Sequence, residues 1–524
     1  MDKLTERRIN ELRELKARCE LGGGEVKIEK QHNKGKMTAR ERLDYILDEG
    51  SFVEFGKLIG HLDNLPADGN ICGHGKINGR TVCIFSQDAT VKGGSIGMMH
   101  GLKMYLVIER ALNMGVPYIG LNDSPGARLP QLQEGRSAMG EGFGDKNAGS
   151  VFYPNTQASG VIPQISAILG SSAGISVYSP AMTDFIFMVD KKSHMFITGP
   201  VMVKTVTGED LTMEQLGGAE IHCKVSGVAD GRFPDEYSLL DGIRDLLSYL
   251  PFNNTELPPV FDGGDDPDRM VDELADIVPA APAQAFDMHE VIYSVLDGGR
   301  FFEIKPEFAG EIIVGFGRIN NNVVGIVANQ PLVYAGSMTV DSSDKQARFI
   351  RYCDAFNIPI VLFVDTPAYM PGSDQEHRGI IRHGAKVLYA LCEATVPKVA
   401  VVLRKSYGGG NLGMGVVPGM GTDHIYFWPI VEVGVMGAPA SVNLYFGKEI
   451  MEAENPAEYT KNKIQEFSEK YANPLREAAF HWGLEDVIEP RETRKCIIQS
   501  LEFLKKKNRP NKPKHEKRHG NIPL

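Results

Sequence analysis

The 524-residue sequence contains no run of about 18 apolar residues, so no segment reads as a membrane-spanning helix. Its first twenty residues, MDKLTERRINELRELKARCE, are charged from the start and lack the apolar centre of a signal peptide; the expectation is a soluble, cytoplasmic protein. Cysteine is sparse: Cys19, Cys72, Cys83, Cys223, Cys353, Cys392 and Cys496 are an odd number, widely scattered, with no CxxC pair. Neither a disulfide framework nor a metal site is expected, only reduced and mostly buried thiols. Positive charge is also in deficit. A net charge of −11 argues against a general nucleic-acid binder, because neutralising phosphates needs a basic face. The last twenty residues, KKKNRPNKPKHEKRHGNIPL, are the exception and read as an exposed basic tail. No GxxxxGK[ST] loop occurs and no full GxGxxG follows a strand, so nucleotide binding has no motif behind it. What is present is ordinary globular material, 42% hydrophobic and 23% charged, with 57 glycines, an excess over the usual roughly 7%.

An internal duplication organises the chain. Residues 73–95, GHGKINGRTVCIFSQDATVKGGS, align with residues 315–337, GFGRINNNVVGIVANQPLVYAGS, placing Gly75 on Gly317 at an offset of 242. The same offset carries PYIGLNDSP at 117–125 onto PIVLFVDTP at 359–367 without a gap. Farther on, Pro163 answers Pro397 at an offset of 234, so the first copy carries eight extra residues between Asp123 and Pro163. Each copy reads as strand, glycine-rich turn, helix, strand: TVCIFSQDA or VVGIVANQP, then GGS or AGS, then MYLVIERALNMG or KQARFIRYCDAFN with apolar residues at helical spacing, then PYIGLND or PIVLFVD. Ser343 with Gln346 has capping-box spacing for the second helix, as Thr38 with Glu41 has for ARERLDYILDEG near the N-terminus. Alternation of this kind predicts an α/β fold with a parallel sheet layered by helices. Residues 252–285 are rich in proline, glycine and acid, a linker composition. The predicted organisation is therefore an N-terminal domain over 1–255 with a helical arm, a linker over 256–285, a C-terminal domain over 286–510 and a tail over 511–524.

Two glycine-rich stretches follow equivalent strands: Ser171-Ser172-Ala173-Gly174-Ile175 after ISAIL, and Ser406-Tyr407-Gly408-Gly409-Gly410-Asn411 after VAVVL. Glycine lets a backbone approach a ligand closely, and successive amides opening a helix can face a developing oxyanion. Tight turns needed only for packing are the alternative. Asp123 and Asp365 end equivalent strands, where a helix-capping or turn role is expected over a catalytic pair. His383, between Arg382 and Lys386, is expected to be a satisfied structural histidine, with a cofactor contact as the alternative. Lys34, Lys36, Arg40 and Arg42 form a basic cluster suited to phosphates or, equally, a solvated helix face.

Residues 329–409, from NQPLVYAGSMTVDSSDKQARF to VAVVLRKSYGG, closely resemble the β subunit of biotin-dependent acyl-CoA carboxylases, as do SPAMTDFIFMVDKKSHMFITGP at 179–200 and the ending HGNIPL. The family includes propionyl-CoA and methylcrotonoyl-CoA carboxylases, a transcarboxylase, and methylmalonyl-CoA and glutaconyl-CoA decarboxylases. The resemblance implies two tandem crotonase-like (ClpP/crotonase) domains, acyl-coenzyme A bound by the first, and carboxybiotin bound by the second domain of a neighbouring protomer in a homo-hexamer. It implies carboxyl transfer through an enolate held by backbone oxyanion holes, without a side chain as general base. The implied thioester pair is Gly174 with Ile175, where relatives have Gly-Gly, and the biotin pair is Gly409 with Gly410. Gly408, Asn411, Ala335 and Gly336 are implied on the biotin side. Gly126, Ala127, Arg128 and Leu412, with Lys34 and Arg40 for phosphates, are implied on the substrate side.

Leu412 stands where propionyl-type enzymes carry an aspartate, while residues 408–414 match methylcrotonoyl-type enzymes better and residues 194–210 look like the methylmalonyl enzymes. A short branched or unsaturated acyl-CoA is the first expectation and propionyl- or methylmalonyl-CoA the second. Ser337 and Ala368 stand where relatives often have Cys and Gly. No AMKM-like biotinylation sequence appears, so biotin is expected on a separate carrier protein, with a biotin carboxylase or a membrane decarboxylase as further partner. Two other readings are a crotonase-type hydratase, which calls for an acid near the thioester hole that residues 171–179 do not supply, and an inactive scaffold subunit.

Overall fold

The computed structural model describes residues 2–129, 146, 148–417, 419–479, 483–507 and 519–521. The chain divides into two compact units, one running to Glu256 and including the described residues 519–521, the other starting at Leu257.

In the first unit β1 (Val53–Phe55), β2 (Asn70–Ile77) and β3 (Arg80–Gln87) pair antiparallel. From β3 the sheet continues in parallel through β4 (Tyr118–Asn122), β5 (Gln164–Ile168), β7 (Phe185–Val189) and β9 (Gly231–Phe233). β4 and β5 are buried at every residue, as parallel strands covered on both faces require. β6 (Ser171–Ala173) leaves this sheet to pair with β8 (His194–Phe196). The arm contributes α1 (Lys3–Glu20), α2 (Glu25–His32) and α3 (Ala39–Ile46), the last opened by the Thr38–Glu41 capping box. α4 (Met98–Met114) packs Met104, Val107, Ile108 and Ala111 into the core and stops at Gly115, whose φ of 65° suits a residue without Cβ.

The second unit repeats the plan. β10 (Phe301–Ile304), β11 (Ile312–Ile319) and β12 (Asn322–Asn329) are antiparallel, and β13 (Ile360–Thr366), β14 (Lys398–Tyr407), β15 (His424–Phe427) and β17 (Asp486–Val487) extend the sheet in parallel, with β16 (Glu432–Gly434) beside the end of β14. Registers follow the sequence offsets: Cys83 faces Tyr118 as Gly325 faces Ile360, and Tyr118 faces Gln164 as Ile360 faces Lys398.

Three readings of local structure change. In the first unit α5 (Ile175–Ala181) follows β6; in the second the helix after β12, α6 (Val340–Ala355), starts earlier than expected, and its capping box is Thr339 with Ser342, not Ser343 with Gln346. Residues 257–285 are not a free linker: Val271 N–H donates to Arg491, Phe261 N–H to Asn321, and Arg404 donates to the carbonyls of Pro279, Ala281 and Gln284. The described end of the tail is docked: Asn521 is buried, its N–H donating to Ser159 Oγ at 2.8 Å and its Nδ2 to Asp184 Oδ1 at 3.1 Å. Residues 508–518 of the basic tail, 522–524 of HGNIPL, and 130–145 within the longer first-copy loop lie outside the described residues. Five cysteines are buried, Cys392 is exposed and Cys496 lies between.

Candidate active site

In open α/β sheets ligands gather outside the carboxyl ends of the parallel strands. Two devices sit there in each unit. The first is the turn after β3 and after β12. Lys92, Gly93 and Gly94 have φ of 50°, 66° and 74°; Tyr334, Ala335 and Gly336, at an offset of 242, have 47°, 55° and 79°. Three consecutive left-handed residues are strained for any side chain, at about 1–2 kcal/mol per non-glycine residue, and two of the second set carry one. The neighbouring strand imposes the path: a Cβ on Gly94 would lie 2.2 Å from Asp123 O, and one on Gly336 would lie 2.4 Å from Asp365 O. The middle residue of each turn, Gly93 and Ala335, is exposed.

The second device is a short helix that β6 or β14 feeds: α5 after Gly174, and α7 (Gly408–Gly413) after Tyr407. At an offset of 234 Gly174 matches Gly408, Ile175 matches Gly409 and Ser176 matches Gly410. The backbone agrees, since Gly174 and Gly408 have φ of 57° and 49° and each turns toward a carbonyl of the partner strand's end, Ile197 O or Val435 O. Side chains agree too. Ser176 Oγ donates to Ser124 Oγ at 3.2 Å, and a Cβ on Gly410 would meet Thr366, the counterpart of Ser124, at 2.9 Å.

First-turn amides have no acceptor inside their own helix. Those of Ile175 and Ser176, and of Gly409 and Gly410, find none elsewhere among the described residues. Gly174 differs, because its N–H donates to Phe196 O and Ile197 O at 3.2 and 3.1 Å. The pair expected from sequence is Gly174 with Ile175; the two amides left without an acceptor at the start of α5 are those of Ile175 and Ser176, in register with Gly409 and Gly410. Ile175 is no handicap, since its side chain joins the core cluster around Val151 and Phe152 and leaves the amide open. Ser171, His194 and Glu214 fasten β6 to its neighbours through Ser171 Oγ···His194 Nδ1 and His194 Nε2···Glu214 Oε2, both 3.0 Å. Asn411 accepts from Ser406 Oγ at 2.7 Å, and Gly408 and Gly409 are half-buried at the helix start, while Leu412 is exposed.

Neither strand-end aspartate caps a helix among the described residues. Each N–H is held by a side chain of the preceding strand, Asp123 by Gln87 at 2.9 Å and Asp365 by Asn329 at 3.2 Å. Each carboxylate is buried against cations. Asp365 takes Arg404 Nη2 at 2.8 Å from its own neighbouring strand. In the first copy the matching position is Gly170, and the cations come from the arm: Lys36 Nζ at 2.6 Å and Arg42 Nη2 at 3.0 Å, Arg42 also bonding Glu236 at 2.8 Å. A Cβ on Gly170 would lie 1.9 Å from Asp123 Oδ1 and 2.8 Å from Lys36 Nζ, so the glycine is the space through which the arm reaches the strand end. Burial lowers the Lys36 pKa against the pull of Asp123; for Arg42 burial is more than offset by Asp123 and Glu236, which hold it charged.

Three of the four basic residues, Lys36, Arg40 and Arg42, are held in ion pairs. Arg40 forms a two-pronged pair with Glu54 at 2.9 and 3.3 Å, and Lys34 alone of the four is exposed. Arg128 is likewise engaged, buried against Asp68 at 2.6 Å and Ser95 O at 2.9 Å. Gly126, with φ of 108°, and Ala127, bridged to Ile96, line the strand end beside Ala173, whose carbonyl oxygen lies 2.8 Å from a Cβ at Gly126. His383 is a satisfied structural residue, 2.8 Å from Asp344, which also holds Lys386.

A model of the carboxyl transferase domain matches residues 30–522. The chain is 51% identical to the propionyl-CoA carboxylase carboxyltransferase subunit of Haloferax mediterranei, over 99% of both chains. It is 47% identical to methylmalonyl-CoA decarboxylase subunit alpha of Propionigenium modestum, again over 99% of both, and 47% identical to the mitochondrial propionyl-CoA carboxylase beta chain of Homo sapiens, over 98% of this chain and 94% of that one. Among solved structures it is similar to the transcarboxylase 12S hexamer with methylmalonyl-coenzyme A and methylmalonic acid bound, at TM-score 0.90 and 43% identity over 99% of this chain and 98% of that one. Two duplicated crotonase-like units, each carrying a helix start with free paired amides, and likeness over the whole length converge: this chain belongs to the carboxyl transferase family of biotin-dependent acyl-CoA carboxyltransferases.

Proposed function

We propose that the chain moves a carboxyl group between propionyl-CoA or methylmalonyl-CoA and a carboxybiotin presented by a separate carrier protein. The observation that carries the mechanism is the pair of matched helix starts. In the first unit the amides of Ile175 and Ser176, with Gly93 N–H on the turn that packs on Asp123 next to Ser124, the Ser176 partner, are the donors for a thioester oxygen as it gains enolate charge. In the second unit Gly409, Gly410 and Ala335 supply the same donors for the ureido oxygen of biotin, and Gly336, Gly408 and Asn411 shape the surrounding backbone. Donors fixed by strands and a helix start need no reorganisation as charge develops, and removing one such donor typically lowers kcat about 10²–10³-fold. Carboxybiotin, when bound, supplies the activated carboxyl group. The chain's own part is to polarise two carbonyl oxygens and hold them in place, and no side chain is needed as general base.

The nature of the relatives favours the propionyl and methylmalonyl esters over a branched unsaturated ester, although Leu412 has the hydrophobic character that the latter would suit. Assembly into a hexamer, as in transcarboxylase 12S, and association with a biotin carboxylase or a decarboxylase subunit belong to the same proposal. Purified chain incubated with free biotin and methylmalonyl-, glutaconyl- and 3-methylglutaconyl-CoA tests it. Biotin-dependent decarboxylation is expected to be fastest with methylmalonyl-CoA; a faster rate with 3-methylglutaconyl-CoA would restore the other substrate class.

A further inference from the structure

Two lysines that carboxyl transfer as described leaves unused sit at matched positions. Lys103 on α4 and Lys345 on α6, at the offset of 242 that aligns the copies, are 0% and 3% exposed. Each directs its ammonium at three backbone carbonyls. Lys103 Nζ donates to Asn70 O, to Ala67 O at 3.0 Å and to Gly56 O at 3.5 Å. Lys345 Nζ donates to Lys305 O and Phe308 O, both at 2.8 Å, and to Ala309 O at 3.4 Å. Burial pushes the Lys345 pKa down to about 8, against the pull of Glu303 and Glu311 and with Lys305 adding to the fall, so at pH 7 the ammonium keeps its three donors.

The loop that each lysine holds, before β2 or before β11, is strained in the same place. Ala67 and Ala309, again 242 apart, have φ of 51° and 47°, left-handed values that persist only where the surroundings impose them. From that loop a ladder of backbone bonds runs to the turn after β3 or β12. Asp88 N–H donates to Gly69 O at 2.9 Å, Val91 N–H to Asp88 O at 3.0 Å and Gly94 N–H to Val91 O at 3.0 Å. Gln330 N–H donates to Glu311 O at 2.9 Å, Val333 N–H to Gln330 O at 3.0 Å and Gly336 N–H to Val333 O at 2.9 Å, so every rung recurs at the offset of 242. The far side of each turn is tied to the same loop, His100 N–H donating to Asp68 Oδ2 at 2.8 Å and Thr339 Oγ1 to Glu311 Oε1. Gly93 and Ala335 lie between the two ties.

We infer that Lys103 and Lys345 are positioning residues for the two half-reactions: by clamping the loop to which each turn is tied, Lys103 fixes the Gly93 amide for the thioester oxygen and Lys345 fixes the Ala335 amide for the ureido oxygen of biotin. The inference rests on the carboxyltransferase reading above and adds to it the residues that hold the third donor of each set. A donor aids an oxyanion because it is fixed before charge develops, and a ladder released at its foot no longer fixes it.

Lys103→Met and Lys345→Met in the full chain test it, with Lys103→Arg and Lys345→Arg, which keep a cation, serving if methionine blocks folding. Two readouts separate the units: the ratio of affinities for methylmalonyl-CoA and for its thioether analogue, in which CH₂ replaces the carbonyl, and the KM for free biotin in biotin-dependent decarboxylation. The Lys103 variants are expected to lower the thioester preference by about tenfold and leave the biotin KM unchanged, an effect short of the roughly 10²–10³-fold that deleting a donor removes from kcat. The Lys345 variants are expected to raise the biotin KM by about tenfold and leave the thioester preference unchanged. The arginine variants are expected to move the same readout by less. Equal change in both readouts for either lysine, as general loosening of the chain would give, or no change in either, overturns the inference and leaves the carboxyltransferase reading intact. A wild type with neither thioester preference nor biotin dependence overturns that reading itself.

Discussion

At the residue scale the two copies solve one problem in two ways, and Gly170 is where they part. A buried carboxylate at a strand end needs a partner, and removing one member of a buried pair costs about 3–5 kcal/mol. Arg404 meets Asp365 from within the second unit's sheet, whereas Gly170 admits Lys36 and Arg42 to Asp123 from the arm. Gly170→Ala is therefore expected to destabilise the chain by about 2–3 kcal/mol through overpacking, read as a lower midpoint in urea unfolding. His289 gives a pH signature. Glu303 accepts from its Nε2 at 3.0 Å and Asp287 lies 2.8 Å from Nδ1, and the bond to Glu303 first, with Asp287, raises its pKa despite partial burial. A group whose folded pKa is raised stabilises fully below its unfolded value, about 6.5 for histidine, and that contribution fades as pH rises through the folded value. Unfolding midpoints are expected to fall across that window in the wild type and to change less in His289→Gln.

At the element scale strands, helices and their repeat were legible because burial periodicity and a shared offset are local properties of sequence. The glycine stretches were legible as helix starts for the same reason. Which amide faces outward was not, since it depends on Phe196 and Ile197, more than twenty residues on, accepting the Gly174 N–H. The aspartate roles were hidden likewise: Arg42 and Asp123 are far apart in sequence, although Gly170 standing opposite Arg404 at an offset of 234 was a signal available without a structure. The second capping box was misplaced because Met338 bridges Tyr369 and fixes Thr339 as the helix start. Ile175 is the first residue of α5, where proline is well tolerated, so Ile175→Pro removes one donor and keeps the helix. Its kcat is expected to drop about 10²-fold or more, whereas Ile175→Ala, which loses the same core packing and keeps the amide, is expected to retain it.

At the scale of the whole molecule, the likeness to carboxyltransferases covers arm, both units and tail, and both the arm, through Lys36 and Arg42, and Asn521 near the end of the chain are bonded to the first unit. The tail's end crosses 337 residues of sequence to donate from Asn521 to Asp184, a closure no local pattern announces. Asn521→Ala is expected to lower stability by about 1–2 kcal/mol, measured by chemical unfolding, because Asp184 Oδ1 loses its buried Nδ2 donor while the backbone bond to Ser159 stays. The two units' matched amides make one claim about the whole chain, that it transfers a carboxyl group by holding two carbonyl oxygens. Transfer of ¹⁴C from the free carboxyl of methylmalonyl-CoA to free biotin tests that claim most directly. Acid-labile label on biotin is expected with the wild type and at least about 10²-fold less with Ile175→Pro; undiminished transfer by that variant, or turnover of the ester that ignores biotin, would contradict it.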